Sequence, residues 1–331
     1  MSEEKNSINR REFINRSIKA GVSILAVSTT AGLLYNRVLP GVAQKQSQSI
    51  LPDYSVKPIN GKELSIVTGS ERSKALTKAI DLLGGISHFI KKGDSVLLKP
   101  NIAFASSPDL GATTHPEIVS TMITLCLKAG ASEVAVLDNP INDPAGCYLL
   151  SGIDEAVKKA GGTILLPSND LFENFTLKNG KLISNWPILY KPLKNATKVI
   201  GLAPIKNHHR SGASMSLKNW YGLLGGRRNI FHQDINTIIT ELAVMIKPTL
   251  VILDGFSVMM TNGPTGGATS DLKEKNTIIA STNQVAADAY GATLLNMKPD
   301  DLPYLALAEK AGAGTLDYKS LKPLFYNEVT S

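Results

Sequence analysis

Short apolar runs alternate with longer amphipathic segments between residues 61 and 320. Apolar runs of roughly four to eight residues between turn residues are typical of buried strands, and apolar positions three and four apart are typical of helices. The pattern therefore predicts an α/β domain with a mainly parallel sheet and helices on both faces. The predicted strands are Glu63–Thr68, Ser95–Lys99, Glu133–Leu137, Thr163–Leu166, Lys198–Ala203, Leu250–Leu253 and Thr277–Ala280, and the predicted helices are Ser73–Leu83, Pro116–Ala129, Ile153–Ala160, 234–246, Gln284–Leu295 and Leu302–Ala311.

The pattern is less regular between residues 140 and 200. Residues 172–192 contain short alternating runs broken by Asn179-Gly180, a dipeptide typical of hairpin turns. We therefore predict a small inserted mixed subdomain in this part of the chain. At the two ends of the domain, residues 44–60 are rich in Gln, Ser, Pro and Asn and predict a linker, and residues 321–331 predict a C-terminal tail.

The first 43 residues have the organisation of an export signal. Arg10 and Arg11 lie in the segment NRREFIN, which resembles the twin-arginine motif, and residues 20–34 are uncharged and mostly small or apolar. Small residues precede a possible cleavage point after Ala43. We expect the twin-arginine translocase to export the folded protein to the periplasm or another extracytoplasmic space. Cleavage of the segment and its retention as a membrane anchor both stay open.

Composition excludes some classes of function. The 331 residues are 43% hydrophobic and 19% charged, which is ordinary for a globular α/β protein. The net charge is +7, and residues 1–43 contribute +3 of it through six Lys/Arg against three Glu. The remaining +4 is too small to predict nucleic-acid binding. The two cysteines, Cys126 and Cys147, are too few for an iron–sulfur cluster, and the sequence leaves open whether they pair.

Polar residues follow the predicted strands at the positions where α/β sheets bind ligands. Lys99 ends the strand Ser95–Lys99 and is followed closely by Asn101, and Asp254 directly follows the strand Leu250–Leu253. In open α/β sheets, ligands bind in the crevice beyond the carboxyl ends of the strands. Lysine, histidine and aspartate at several such positions therefore predict a ligand site there.

The residues selected on this basis combine permanent cations with groups that titrate near neutral pH. Lysines can neutralise a carboxylate or phosphate, and imidazoles can act as general acids or bases. Glycines beside them leave backbone N–H groups accessible to an anion. No Walker loop or GxGxxG motif supports nucleotide binding. The candidates for catalysis are His115, Lys206, His209, Lys218, His232 and Asp254, and the candidates for ligand binding are Lys99, Asn101, Thr114, Asn219, Arg227, Asn262, Gly263 and Gly266.

Taken together, these motifs resemble the family called domain of unknown function 362 (DUF362). Many members of that family look like fusions to ferredoxin-type domains with cysteine-rich cluster motifs. This chain has no such cysteines and therefore resembles the core module alone. The resemblance implies a fold and the position of a site, without a reaction. It extends from about residue 66 to 311 and rests on Lys99-Pro100-Asn101, Thr114-His115-Pro116, Lys206 to His209, Leu217-Lys218-Asn219 with Gly222, His232, Asp254-Gly255, Asn262-Gly263-Pro264 with Gly266, and Ala287-Asp288.

Three functions are compatible with these residues, and the sequence leaves open whether the protein is an enzyme. The first is an enzyme acting on a small carboxylate or phosphate substrate through lysine, histidine and aspartate. The second adds a divalent metal, with His115, His209, His232 and Asp288 as candidate ligands. The third is a non-catalytic periplasmic module that binds a ligand or a redox protein partner.

Overall fold

The structure, a computed structural model, describes residues 50–328 of the unit Ser49–Ser331. The predicted signal segment, residues 1–43, lies outside the described residues. The strands are β1 (Leu64–Thr68), β2 (Ser95–Lys99), β3 (Glu133–Leu137), β4 (Thr163–Leu165), β5 (Glu173–Phe175), β6 (Trp186–Ile188), β7 (Lys198–His208), β8 (Gly212–Ser214), β9 (Leu250–Met259), β10 (Leu272–Ser281) and β11 (Leu324–Asn327). The α-helices are α1 (Arg72–Leu82), α2 (Ile86–Phe89), α3 (Pro116–Lys128), α4 (Pro144–Leu150), α5 (Ile153–Ala160), α6 (Tyr190–Asn195), α7 (Ser216–Asn219), α8 (Ile235–Met245), α9 (Gln284–Leu294) and α10 (Pro303–Lys310).

A nine-stranded sheet forms the centre of this unit. Its order is β11-β1-β10-β9-β7-β2-β3-β4, and β8 pairs with β7. The run from β9 through β7, β2 and β3 to β4 is parallel, as is the pair β1–β11. Strand β10 is antiparallel to both of its neighbours, β1 and β9. The predicted α/β fold with a mainly parallel sheet is confirmed, and three strands, β10, β9 and β7, lie between β1 and β2.

Apolar side chains cover both faces of the sheet. Val96 and Leu98 of β2 pack in one hydrophobic cluster with α1, α3 and α5, and Leu97 packs in the other with α8, α9 and α10. Successive side chains of a strand point to opposite faces, so this run of apolar residues is buried on both sides. The prediction of helices on both faces is confirmed.

A buried carboxylate helps to hold the insertion between β4 and β7 to the domain. Strands β5 and β6 form a separate two-stranded antiparallel sheet, with Asn179 in the left-handed region at φ 63° in the connecting turn. The carboxylate of Glu241 on α8 accepts hydrogen bonds from the N–H groups of Lys181, Leu182 and Ile183 at 2.5–3.1 Å. The small inserted subdomain predicted within residues 140–200 is therefore present as this hairpin.

Three strands are longer than the sequence predicts. Strand β7 continues to His208, β9 to Met259, and β10 begins at Leu272. Lys206 therefore lies on β7, and Asp254 lies within β9, whereas both were predicted in loops after strands. The polar residues at these positions interrupt the apolar pattern, but β8 folds back on β7 and supplies backbone partners for the extension.

The described part of the predicted linker packs on the domain. Tyr54 is 1% exposed, its N–H donates to the Lys247 carbonyl at 3.1 Å, and its hydroxyl donates to the Leu193 carbonyl at 2.8 Å. Thr249 in turn donates to the Tyr54 carbonyl at 2.7 Å. From Tyr54 onward the segment is thus anchored and is not a free spacer.

The predicted C-terminal tail is also partly structured. Strand β11 lies within residues 321–331 and pairs in parallel with β1 from Ser65 opposite Leu324 to Thr68 opposite Asn327. This strand is too short for a periodicity to be visible in the sequence. Within residues 50–328, no helix is both long and apolar enough to cross a lipid bilayer.

Replacing Tyr54 with alanine tests whether this segment belongs to the cooperative fold. Loss of a buried aromatic ring and its hydrogen bond should lower the free energy of unfolding by about 3–5 kcal/mol. Replacing the exposed neighbour Ser55 with alanine should change it by less than about 0.5 kcal/mol. Urea unfolding followed by circular dichroism measures the free energy of unfolding of both variants. Equal changes in the two variants would show that the segment is a detached linker.

Candidate functional site

A cavity of about 820 Å³ lies at the ends of β2, β3 and β7. Its size is within the range of small-molecule sites, roughly 300–1,000 Å³. It brings together ten of the fourteen residues proposed from sequence for catalysis or ligand binding. These ten are Lys99, Asn101, Lys206, His209, Lys218, Asn219, Arg227, His232, Asn262 and Gly263.

A buried ion pair forms part of the cavity wall. Lys99 Nζ lies 2.7 Å from Asp138 Oδ1, and both side chains are almost completely buried. The same ammonium donates to Asn219 Oδ1 at 2.9 Å and to the Pro100 carbonyl at 2.7 Å. Burial lowers the pKa of Lys99, and the carboxylate of Asp138 opposes this shift. Lys99 therefore has all of its donors engaged within the protein.

Asp138 is a site residue that the sequence prediction missed. Its carboxylate also accepts the N–H groups of Ile102 at 2.6 Å and Asn139 at 3.0 Å, so it organises the loops after both β2 and β3. Gly222 passes so close to the pair that a β-carbon there would overlap Asp138 Oδ1 and lie 2.7 Å from Lys99 Nζ. Its position directly after an apolar strand is the sequence feature by which Asp138 could have been predicted as a site residue.

Two further lysines face the cavity without a carboxylate partner. Lys206 is 1% exposed, and its ammonium donates to the Ala112 carbonyl. Burial, with the charge of Lys218 nearby, lowers the pKa of Lys206 to about 7. Burial, with the charges of Arg228 and Lys99, lowers the pKa of Lys218 to about 8. Near neutral pH, each of these amines is therefore present in both its charged and its neutral form.

Arg228 holds two segments of the cavity wall together. Its two terminal nitrogens donate to four carbonyls, those of Tyr221, Leu224, Asn139 and Pro140, at 2.6–3.3 Å. The guanidinium thus joins the loop after β3 to the segment after α7. The sequence prediction selected its neighbour, Arg227, which also lines the cavity.

The cavity lining is strongly cationic. Among residues 50–328, it contains six Lys or Arg residues and one carboxylate, Asp138. Since Asp138 is paired with Lys99, the other five cations face the cavity without an acidic partner in its lining. They are Lys206, Arg210, Lys218, Arg227 and Arg228.

Three imidazoles stack along one side of the cavity. The His208 ring centroid lies 5.1 Å from that of His209 and 6.2 Å from that of His232. Burial and Lys218 lower the pKa of His208 to about 2, and His208 Nδ1 accepts the N–H groups of Arg210 and Ser211 in the turn after β7. His208 is therefore a neutral residue that stabilises the turn.

The other two imidazoles keep contacts suited to proton transfer. His209 Nδ1 lies 3.3 Å from the Gly263 carbonyl, to which it can donate. His232 Nδ1 lies 3.1 Å from the Tyr221 hydroxyl. Burial and Lys218 lower the pKa of His232, so that its ring is mostly neutral and able to accept a proton near pH 7.

His115 and Asp254 do not line this cavity, contrary to the prediction. They line a separate cavity of about 360 Å³. Asp254 is paired with Arg72 at 3.1 Å, and His115 Nδ1 accepts the Glu117 N–H at the start of α3. Asp254 lies opposite Pro204 in the sheet, whereas Lys206 lies beyond a shift in the β7–β9 register. The register, which the sequence pattern does not report, separates these residues.

Thr114 and Gly266 line neither cavity and have structural contacts instead. The hydroxyl of Thr114 accepts the Asn101 N–H and donates to the Leu202 carbonyl, both at 2.8 Å, which ties the loop after β2 to β7. Gly266 has a φ of 60°, and its N–H donates to the Asn262 carbonyl at 3.0 Å. Both residues were predicted to bind ligand, and the structure places both in the loops beside the cavity.

Asp288 anchors the helix that carries Lys218. It is fully buried on α9, and its carboxylate accepts the N–H groups of Ser216 at 2.8 Å and Leu217 at 3.1 Å, as well as the Ser216 hydroxyl. Burial raises its pKa to about 7. Asp288 therefore positions α7 and does not reach the cavity.

The proposed metal ligands are not brought together. His115 lines the smaller cavity, His209 and His232 line the larger one, and Asp288 is buried beneath α7. Within residues 50–328, no group of three or more His, Cys, Asp or Glu residues is placed to hold a metal ion. Cys126 and Cys147 are both buried and unbonded to each other.

Comparisons with known proteins identify relatives of this chain. A thylakoid-associated protein of Synechocystis sp. is 27% identical over 253 residues, which are 72% of this chain and 74% of that protein. The apoprotein of lactate racemase from Thermoanaerobacterium thermosaccharolyticum is 12% identical with a TM-score of 0.39, over 73% of this chain and 58% of that one. A Thermotoga maritima protein is 12% identical with a TM-score of 0.34, over 72% and 58%.

This chain therefore spans little more than half the length of these two solved proteins. The match to a protein family is more extensive. Residues 96–293 match the family described as Domain of unknown function (DUF362), and this range includes every residue named above in the large cavity. The protein is a member of the DUF362 family.

Proposed function

We propose that this protein is an enzyme that acts on a small carboxylate or phosphate substrate bound in the large cavity. The observation that carries the proposal is the excess of positive charge there: five Lys or Arg side chains line the cavity in addition to the neutralised Lys99–Asp138 pair. A bound anion is the missing counter-charge.

The energetics favour an anionic ligand. Burying a charge without a partner costs several kcal/mol, and a correctly placed opposite charge recovers much of it. Lys206 and Lys218 have no carboxylate within ion-pair distance among residues 50–328. An anion between them would pair with both ammonium groups and reverse the depression of their pKa values.

The titration behaviour favours catalysis over simple binding. A module that only binds an anion needs permanently charged groups, and the cavity already has arginines for that purpose. Lys206, with a pKa near 7, and His232, whose ring is neutral near pH 7, add groups able to exchange protons at physiological pH. In this proposal the lysines and Arg227 hold the anion, and His209 and His232 transfer protons. A non-catalytic ligand-binding or redox-partner module is the alternative, and tight ligand retention without turnover would identify it.

We also propose that the protein works outside the cytoplasm after export by the twin-arginine route. The motif at Arg10 and Arg11 supports this location, and so does the similarity to a protein named for its association with thylakoids.

The effect of lysine replacements tests the anion site. Lys206→Met and Lys218→Met should each weaken binding of inorganic phosphate or succinate by roughly tenfold to a hundredfold, since each removes a charge-assisted contact. Titration calorimetry measures the affinity. The melting temperature of the unliganded variants should stay nearly unchanged, because removal of an unpaired charge offsets the lost hydrogen bond from Lys206 to the Ala112 carbonyl. His115→Gln, in the smaller cavity, is the matched control and should bind normally; an equal loss in that variant would contradict the site.

Anion affinity should fall as the pH rises through the lysine pKa values. The charged amines bind the anion, and these pKa values are about 7 for Lys206 and about 8 for Lys218 in the unliganded protein. Sulfate is the probe, because it keeps its charge between roughly pH 6 and pH 9 while these amines titrate. Calorimetry across that range should show progressive weakening. Lys218→Arg should flatten the profile, since arginine stays charged. A flat profile for the unaltered protein would exclude these lysines as the titrating groups.

Changing the arginine pair tests the proposed export. Arg10→Lys together with Arg11→Lys should leave the protein in the cytoplasm, because the translocase reads the pair as an address. Arg37→Lys, which keeps the pair, is the control and should be exported normally. Cell fractionation and immunoblotting give the distribution, and unchanged export of the double variant would refute the route.

A further inference from the structure

The three lysines of the large cavity differ in what holds their amino groups. Lys99 Nζ is engaged by the carboxylate of Asp138, the amide oxygen of Asn219 and a carbonyl. Lys206 Nζ donates to the Ala112 carbonyl. Lys218 Nζ makes no hydrogen bond and no ion pair within residues 50–328, although it lies among other cations. Its amino group is therefore the one among the three that is free to react.

The backbone beneath Lys218 is rigid. Lys218 lies on α7, whose first N–H groups are held by the buried carboxylate of Asp288. The next residue, Asn219, donates to the carbonyls of Lys99 and Leu202 at 2.9 and 3.2 Å. Such anchoring on both sides restricts the amino group to one part of the cavity, as a covalent catalyst requires.

We infer that Lys218 is a nucleophile that forms an imine with the carbonyl carbon of a 2-oxo acid. This inference rests on the proposed function, because it names the substrate class of the same cavity. A 2-oxo acid fits because its carboxylate would pair with the cations of the lining, such as Lys206 and Arg227, and its adjacent carbonyl would then lie near Lys218. Lysines become nucleophilic in this way when they are desolvated or lie beside another cation.

The reaction is a condensation that needs no further reagent. His232 takes one proton from the Lys218 ammonium, and the nitrogen lone pair then attacks the carbonyl carbon. A second proton passes from this nitrogen to the carbonyl oxygen to give a carbinolamine. His232 returns the first proton as the hydroxyl group leaves as water, so that the carbon–nitrogen double bond keeps one hydrogen and one positive charge at nitrogen. One positive charge is present before and after the step, and the bound carboxylate balances it.

A group that can accept and return the proton lies in the same cavity. Lys218 Nζ is 5.2 Å from the centroid of the Tyr221 ring, and the Tyr221 hydroxyl is 3.1 Å from His232 Nδ1. His232 also lines the cavity, so that its neutral ring can take a proton from the Lys218 ammonium and return that proton to the departing hydroxyl group. Tyr221 orients His232 in this scheme and does not itself change its covalent state.

Borohydride trapping with glyoxylate tests the inference. Glyoxylate is the smallest 2-oxo acid, so the cavity can admit it, and borohydride reduces an imine to a stable secondary amine. The full-length protein is treated at neutral pH, and modified peptides are quantified by mass spectrometry. Because the pKa of Lys218 is about 8, its neutral fraction is roughly a hundredfold larger than that of an ordinary lysine. We expect modification of Lys218 at least about tenfold faster than of any exposed lysine, with succinate protecting it.

Sulfate binding by the unaltered protein, measured in parallel, separates this inference from the proposed function. In Lys218→Arg the side chain cannot form the imine, so trapping at this position should be lost and no other cavity residue should be labelled. Adducts spread evenly over surface lysines, with sulfate binding intact in the unaltered protein, would overturn the imine and leave the anion site standing. Absence of both sulfate binding and selective trapping would overturn the two together.

Discussion

The buried ion pair between Lys99 and Asp138 is the interaction on which the large cavity depends. It joins the ends of β2 and β3, and Asp138 also holds the first residues of the loops that follow these strands. A single buried charge would be costly, so each partner requires the other. The pair needs Gly222 beside it, because any side chain at that position would overlap the two charged groups. The segment that carries Lys218 is thereby brought against the pair.

The pair also explains why the rest of the cavity is cationic. Asp138 is the one carboxylate of the lining, and it is already used by Lys99. The positive charges of Lys206, Lys218 and the arginines therefore act on one another, and their repulsion adds to burial in lowering the pKa values of both lysines. A lining of this kind is suited to an anion, and the same electrostatics yield amines that are partly neutral near physiological pH.

The sheet separates residues that the sequence analysis grouped into one site. Lys206 and Asp254 lie on neighbouring strands, yet the change in register after Pro204 directs them to different cavities. His115 joins Asp254 and Arg72 in the smaller cavity. Asp288 belongs to one of the family motifs, but its carboxylate accepts hydrogen bonds from the first N–H groups of α7 and does not line either cavity. The motifs that identify the DUF362 family thus divide into the lining of one cavity, the lining of another and the supports between them.

The sequence by itself determined the α/β class, the cores of the parallel strands and most of the polar residues at their ends. These features are local, because the apolar period and the first polar residue after a strand are set by neighbours in the chain. The tertiary structure alone decided the position of β1 beside β10, the pairing of β11, the anchoring of Tyr54 and the separation of His115 from His209. It also decided that Asp138 neutralises Lys99 and that Lys218 has no hydrogen-bond or ion-pair partner among residues 50–328. Strand order, register and ion pairing join residues that are distant in the chain, and hydrophobic periodicity carries no information about such contacts.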